Sequence, residues 1–179
     1  ATGDTDGHPH ILYRRNDSSS VDVPLRYAGW IDGAWVLEEI GTGANSGATL
    51  AIGDDGVVHV AYKHAAGLTY AKRSGGGWTV KVVLDESIAN AVSIALQPTN
   101  GKAAIAFGHG GTTNPLALVR DLGPTWDGAD FWSAIDYEKD SGGANDLLFD
   151  AAGNAHTLQE EREYSSGYYY RIRYSTLTP

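Results

Sequence analysis

Three sets of residues in this chain have types and spacings that could do chemistry. His10, His59 and His156 each stand three positions after a glycine (Gly7, Gly56 and Gly153), and a fourth copy of the spacing, after Gly101, carries Ala104 instead. Imidazoles at neutral pH serve as metal ligands or as general acids and bases. Aspartates cluster before the same glycines, in Asp4-Thr5-Asp6-Gly7, Asp54-Asp55-Gly56 and Asp150-Ala151-Ala152-Gly153, with Thr99-Asn100-Gly101 as the fourth member. Carboxylates so close together invite comparison with a calcium loop, but a distal bidentate glutamate at the required spacing is missing. The third set mixes charges: Arg14, Arg15, Lys63, His64, His109, Glu160, Glu161 and Arg162. Guanidinium groups beside carboxylates can read a sugar acid through paired hydrogen bonds, or form a solvated ion-pair rim of little energetic worth.

What these residues can do depends on what holds them, and that is a repeat. Residues 50–85 contain four short runs, Leu50–Ile52, Val57–Tyr62, Leu68–Ala71 and Trp78–Leu84, separated by Asp/Gly-rich turns. β-Branched and aromatic residues bounded by such turns predict an up-and-down four-stranded sheet. None of the runs has the length or period of an amphipathic helix. The turn glycine recurs at spacings of 49, 45 and 52 residues. Six positions after it stand Tyr13, Tyr62, Phe107 and Gln159. The third strand repeats as Leu25–Ala28, Leu68–Ala71, Leu116–Val119 and Ile172–Ser175, and Trp35, Trp78 and Trp132 open the fourth. Four strands repeated every ~40–50 residues are the mark of β-propeller blades. The fold class is therefore all-β, with about three and a half to four blades of four antiparallel strands in a single array. Its repeats span about residues 1–44, 45–89, 90–140 and 141–179 and it is incomplete at both ends.

Blade geometry now places the candidates. The repeated histidines point into blade-to-blade contacts and lie on different blades, too far apart to share a metal ion. A packed imidazole bonded to the neighbouring blade is the expectation. The Asp/Gly clusters read as hairpin turns, where these residues tolerate positive φ. Tyr13, Tyr62 and Phe107 are expected to be buried between blades. The connections after the second strands, and those between blades, open on one face around the central channel. That face gathers Arg14, Arg15, Lys63, His64, His109, Glu160 and Arg162 as ligand-binding candidates. Two further features belong to loops: the sequon Asn16-Asp17-Ser18, a possible glycosylation site, and the long insertion from Asp121 to Asp130.

Composition narrows the function. Hydrophobic residues make up 42% and charged residues 20% of the 179, which are ordinary globular values. Twenty-three glycines, ten tyrosines and five tryptophans suit strands joined by tight turns. There is no cysteine, so neither disulfides nor thiolate chemistry are available. A net charge of −9 argues against nucleic acid and against an anionic membrane surface. No segment is apolar for long enough to cross a bilayer as a helix.

The run Asp6-Gly7-His8-Pro9-His10-Ile11-Leu12-Tyr13, followed by Leu25-Arg26-Tyr27-Ala28 and Gly33-Ala34-Trp35-Val36, resembles the repeats of bacterial sialidase-like (BNR-type) propellers. The resemblance covers all four repeats and is strongest in the first two. It implies a propeller of usually six to eight blades, often secreted and often concerned with glycans. The sialidase arginine triad and nucleophilic tyrosine have no counterparts here, and the turns Ile31-Asp32-Gly33 and Ser74-Gly75-Gly76-Gly77 depart from the Ser-x-Asp-x-Gly box. Some polysaccharide lyases of similar fold use histidine, tyrosine and arginine, a set that His10, Tyr13 and Arg14 could imitate. The expected function is an extracellular or cell-surface, non-enzymatic scaffold or glycan-binding propeller that needs no cofactor or metal. The alternative is a glycan-cleaving enzyme, a sialidase-like hydrolase or polysaccharide lyase, on the loop face. Open terminal repeats predict further blades or other copies of the chain as partners.

Overall fold

A computed structural model of the chain describes residues 1–14, 23–42, 47–85, 88–109, 116–121, 140–164 and 168–177. All regular structure among them is β-strand. Sheet 1 contains β1 (Thr2–Gly3), β2 (Pro9–Arg14), β3 (Leu25–Ile31) and β4 (Ala34–Gly41), and sheet 2 contains β5 (Ala48–Ile52), β6 (Val58–His64), β7 (Gly67–Ser74) and β8 (Gly77–Leu84). Sheet 3 is built from β9 (Ile88–Leu96), β10 (Ala103–His109) and β11 (Leu116–Arg120), and sheet 4 from β12 (Asp140–Phe149), β13 (Ala155–Tyr164) and β14 (Tyr168–Leu177). Each is an antiparallel meander whose spatial order follows the chain. The first strands β1, β5, β9 and β12 are neighbours in sequence along the array, and β2, β6 and β10 each pack on the first strand of the next sheet. This is the radial stacking of propeller blades. Among the described residues no helix is long and apolar enough to cross a membrane.

The turns follow from their residues. Gly7, Gly56, Gly101 and Gly153 have φ of 79°, 73°, 67° and 86°, a region that L side chains adopt only with strain. In three of these turns the glycine N–H reaches back three residues, to the carbonyls of Asp4, Gly53 and Asp150; in sheet 3 the turn is one residue longer and Gly101 N–H reaches Gln97. Asp4 Oδ1 also accepts from the N–H groups of Asp6 (3.0 Å) and His8 (2.8 Å), and Asp150 Oδ1 from that of Asn154 (2.8 Å). These carboxylates are thus committed to turn donors, as expected for Asx-type turns.

Side chains of each strand alternate between the two faces of its sheet, and both faces are apolar. The core is accordingly three layers, one per sheet-to-sheet contact. Between sheets 1 and 2 lie Leu25, Tyr27, Ile40, Val58, Val60 and Tyr62. Leu68, Tyr70, Ile88, Ile94, Ile105 and Phe107 fill the second layer, and Ala104, Ala106, Leu116, Leu118, Leu147 and Ala155 the third. Tyr62 and Phe107 are 1% and 0% exposed, in line with expectation. Tyr13, the same position in sheet 1, is instead 36% exposed, because among the described residues no sheet lies against that face. In sheet 4 the position is Gln159, which is buried toward sheet 3.

Strand boundaries refine the expected repeats. β9 begins at Ile88, before the boundary near residue 90 expected for the third repeat, and β12 at Asp140, at the boundary expected for the fourth. Glu160 and Arg162 sit within strand β13, not in a loop: β13 and β14 pair continuously from Ala155↔Leu177 to Tyr164↔Tyr168. The run Tyr168-Tyr169-Tyr170 supplies the strand propensity that carries the hairpin outward. Arg15, the Asn16 sequon, Trp132 and most of the Asp121–Asp130 insertion lie outside the described residues.

The contrast between equivalent tyrosines is measurable. Replacing Tyr62 by Ala should cost about 3–5 kcal/mol in urea unfolding, the range for large buried aromatics. Tyr13→Ala should cost far less. Equal losses at both positions would show that the exposure of Tyr13 is not real.

Candidate functional site

The repeated histidines are structural. The Tyr27 hydroxyl meets His10 Nδ1 at 2.5 Å and the Tyr70 hydroxyl meets His59 Nδ1 at 2.7 Å; His156 and Tyr174 pair in the same way. In each case the tyrosine stands on the third strand, diagonal to the histidine: His10 is opposite Gly29, His59 opposite Lys72 and His156 opposite Thr176. The partner is therefore in the same sheet, not in the neighbouring blade as expected. A diagonal pair is within reach of an aromatic side chain, and it needs no help from the next sheet. Sheet 3 has Ala104 and Leu118 at these two positions, so both polar members are replaced together.

In sheets 1 and 4 the pair is extended by the turn aspartate. Asp4 Oδ2 lies 3.5 Å from His10 Nε2, and Asp150 Oδ2 lies 3.2 Å from His156 Nε2. A carboxylate only accepts, so Nε2 carries the proton and Nδ1 receives the tyrosine O–H when the imidazole is neutral. The spacing Asp-x-x-Gly-x-x-His, present twice, was the available signal for this chain of contacts. It does not prepare a nucleophile in sheet 1. Burial pushes the Tyr27 phenol up to about 12, holding it protonated. His10 and Tyr13, three residues apart on β2, point to opposite faces, so the lyase-like set of His10, Tyr13 and Arg14 does not converge.

The remaining candidates share an end of the sheets. Arg14, Lys63 and Glu160 occupy one equivalent position, four residues beyond the repeated His10, His59 and His156. His64 and His109 follow one position later and close β6 and β10. His64 Nδ1 accepts the Ala66 N–H at 3.0 Å, so it braces its own hairpin. Arg162 lies two residues further out than Glu160 along β13. Among the described residues no group of three or more His, Cys, Asp or Glu is placed to hold a metal ion.

A constellation missed in the sequence lies between sheets 1 and 2. Arg73 donates from Nε to Glu38 Oε2 at 2.8 Å and from Nη2 to Oε1 at 2.9 Å, a two-pronged ion pair. Trp78 Nε1 donates to the same Glu38 Oε2 at 2.7 Å. The Arg73 guanidinium stands 5.9 Å from the centroid of the Tyr27 ring, and Trp78 meets that ring edge-on at 5.4 Å. The hydrogen bonds from Arg73, reinforced by Trp78, hold the Glu38 carboxyl below its usual range, and Glu38 in turn raises Arg73. Glu38 and Arg73 are part-buried, and Trp78 is half-buried, so the group faces both the interface and solvent. Register could have revealed it: Glu38 lies opposite Tyr27, and Arg73 opposite Trp78, on the surfaces that two consecutive sheets present to each other.

Acid should act first through His59. Burial, then the charge of Lys72, lowers its pKa to about 4. The unfolded chain binds this proton near pH 6.5, so the stabilising contribution is complete above 6.5 and is lost as pH falls toward 4. Asp150, held at about 2 by hydrogen bonds from Asn154, contributes in a lower window, fading only as pH drops from 3.8 toward 2. The urea midpoint should therefore fall between pH 6.5 and 4, with a shallower slope in His59→Gln. An unchanged slope in that variant would show that another group is responsible.

No protein-family model matches the chain, and no curated protein matches its sequence. Among solved structures it is similar to the six-bladed β-propeller lectin of the fungus Aleuria aurantia, a fucose-recognising protein, at 15% identity and a TM-score of 0.46. It is also similar to AofleA from Arthrobotrys oligospora, at 9% identity and a TM-score of 0.44. The matches cover 98% and 89% of this chain but only 63% and 55% of those proteins.

Proposed function

We propose that this chain is a non-enzymatic, carbohydrate-binding propeller module that works outside the cell or at its surface. The observation that carries the reading is the group of Glu38, Arg73 and Trp78 at the mouth of the first inter-sheet layer. A sugar presents hydroxyls that both donate and accept on one edge and an apolar C–H surface on another. Glu38 can accept from such hydroxyls through lone pairs that Arg73 and Trp78 leave unused, and Arg73 can donate to them. Trp78, half-buried beside them, supplies the aromatic surface. The ion pair fixes both polar groups before a ligand arrives, which reduces the ordering cost of binding. The expectation of a sialidase-like, glycan-directed repeat agrees with this reading.

The rival enzyme would use the strand-end surface, where Arg14, Lys63 and Glu160 share one position in three sheets. A hydrolase or lyase working there would depolymerise uronic-acid polysaccharides, and Arg14→Ala would abolish the turnover.

A glycan array followed by calorimetry tests the binding module. Glu38→Gln and Arg73→Lys should each weaken the sugar identified by at least tenfold, because one loses an ionised acceptor and the other the planar fork. Binding untouched by both, or release of shortened chains from a polysaccharide, would refute the reading.

A further inference from the structure

Beneath the Glu38–Arg73–Trp78 group lies Tyr27, fully buried and held at two points. Its hydroxyl meets His10 Nδ1 at 2.5 Å, and His10, itself buried, turns Nε2 toward Asp4 Oδ2. Its ring lies over Gly29, two residues on along β3 and on the same face of sheet 1. A Cβ built on Gly29 would overlap the Tyr27 hydroxyl and stand 2.6 Å from Cζ, closer than real Cβ atoms come. Gly29 is not among the glycines with positive φ, so the backbone alone does not call for glycine here. What calls for it is the room the ring takes. The rest of the ring carries the site: Trp78 meets it edge-on at 5.4 Å, and the Arg73 guanidinium stands 5.9 Å from its centroid.

The glycine and the two-pronged ion pair occur together. Between sheets 2 and 3, register puts Lys81 where Glu38 stands, Asp121 where Arg73 stands and Lys72 in place of Gly29. Between sheets 3 and 4, Arg120 takes the place of Gly29 and Leu177 that of Arg73. A His–Tyr pair alone is therefore not tied to the site, since sheet 2 has His59 and Tyr70 beside reversed charges. The tyrosine laid over a glycine is.

We infer that Tyr27, seated on Gly29 and tied to His10, is the positioning residue for Arg73 and Trp78, and that it sets how tightly the site proposed above holds a sugar. A ring fixed at its tip and along its face cannot turn. The cation and the indole that lie against it then keep one place before any ligand arrives. Glu38, which accepts from both, is aligned through them. The consequence for binding rests on the reading of this group as a sugar site; the geometry does not.

Nitrogen–proton NMR of the free chain reads the arrangement directly. The Trp78 indole N–H and Arg73 Nε–H signals are assigned by their loss in Trp78→Phe and Arg73→Lys. Tyr27→Phe, which removes only the hydroxyl, and Gly29→Ala, which displaces the ring, should each shift the first signal and weaken the second by exchange with water. Tyr70→Phe breaks the His59–Tyr70 bond on the opposite face of sheet 2 and should leave both signals in place. In calorimetry against a panel of neutral methyl hexosides, Tyr27→Phe should bind about two- to tenfold more weakly than the unaltered chain, the cost of ordering one more side chain. Tyr70→Phe should bind as the unaltered chain does. Signals unmoved by Tyr27→Phe would overturn the inference, and so would equal shifts in Tyr70→Phe, the mark of a general loosening. Should Gly29→Ala fail to fold, Tyr27→Phe decides alone. If no hexoside binds even the unaltered chain, the proposed function fails, while the two resonances still judge the positioning.

Discussion

A sheet that is apolar on both faces cannot stand alone in water. This constraint governs the rest of the structure. β6 places Val58, Val60 and Tyr62 toward sheet 1 and Ala61 toward sheet 3, and all four are buried. Full burial of such a side chain is worth about 1.5–3 kcal/mol, and each layer contains several. The consecutive order of the sheets follows, because every sheet needs a partner on each side and the chain supplies the nearest one.

Polar groups enter these layers in two ways: the buried Thr69 and Thr157 hydroxyls and Gln159 Oε1 make no hydrogen bond, whereas the histidines and one ion pair are answered. His10 and His59 are buried, yet each meets a tyrosine hydroxyl from the next strand of its own sheet. Glu38 and Arg73 cross between sheets, with Trp78 satisfying a carboxylate oxygen. A part-buried pair of this kind contributes less than the apolar layer beneath it, because desolvation offsets much of the attraction. Its value lies in direction. Between β9 and β12, Ser93 Oγ accepts the Leu147 N–H at 3.1 Å and donates to Asp146 Oδ1 at 3.2 Å, aligning sheets 3 and 4.

The repeat was readable in the sequence because the features that define it are local. A turn glycine, a histidine three residues on and a β-branched run are visible within ten residues. The strand partners of Glu160 and Arg162 were not, because hairpin extension depends on pairing with Tyr168–Leu177 across the turn, which no single strand declares. Tyr13 shows a different limit: its identity announces a buried position, but exposure depends on whether another sheet stands beside it. The Glu38–Arg73–Trp78 group required contact between residues 35 to 40 positions apart, in two different repeats. The Asp-x-x-Gly-x-x-His spacing was visible, yet its partner tyrosine emerged only from the diagonal of the ladder.

The placement of each His–Tyr pair inside one sheet bears on how the array is built. Had the imidazole bonded across the layer, a half-finished stack would hold an unanswered buried polar group until the next sheet arrived. Instead, His10 and His59 are provided for as soon as three strands have formed. A nascent chain can therefore add sheets one after another, each reaching its neighbour with these hydrogen bonds already made and mainly hydrocarbon left to join. Growth by such increments requires no rearrangement of the part already folded.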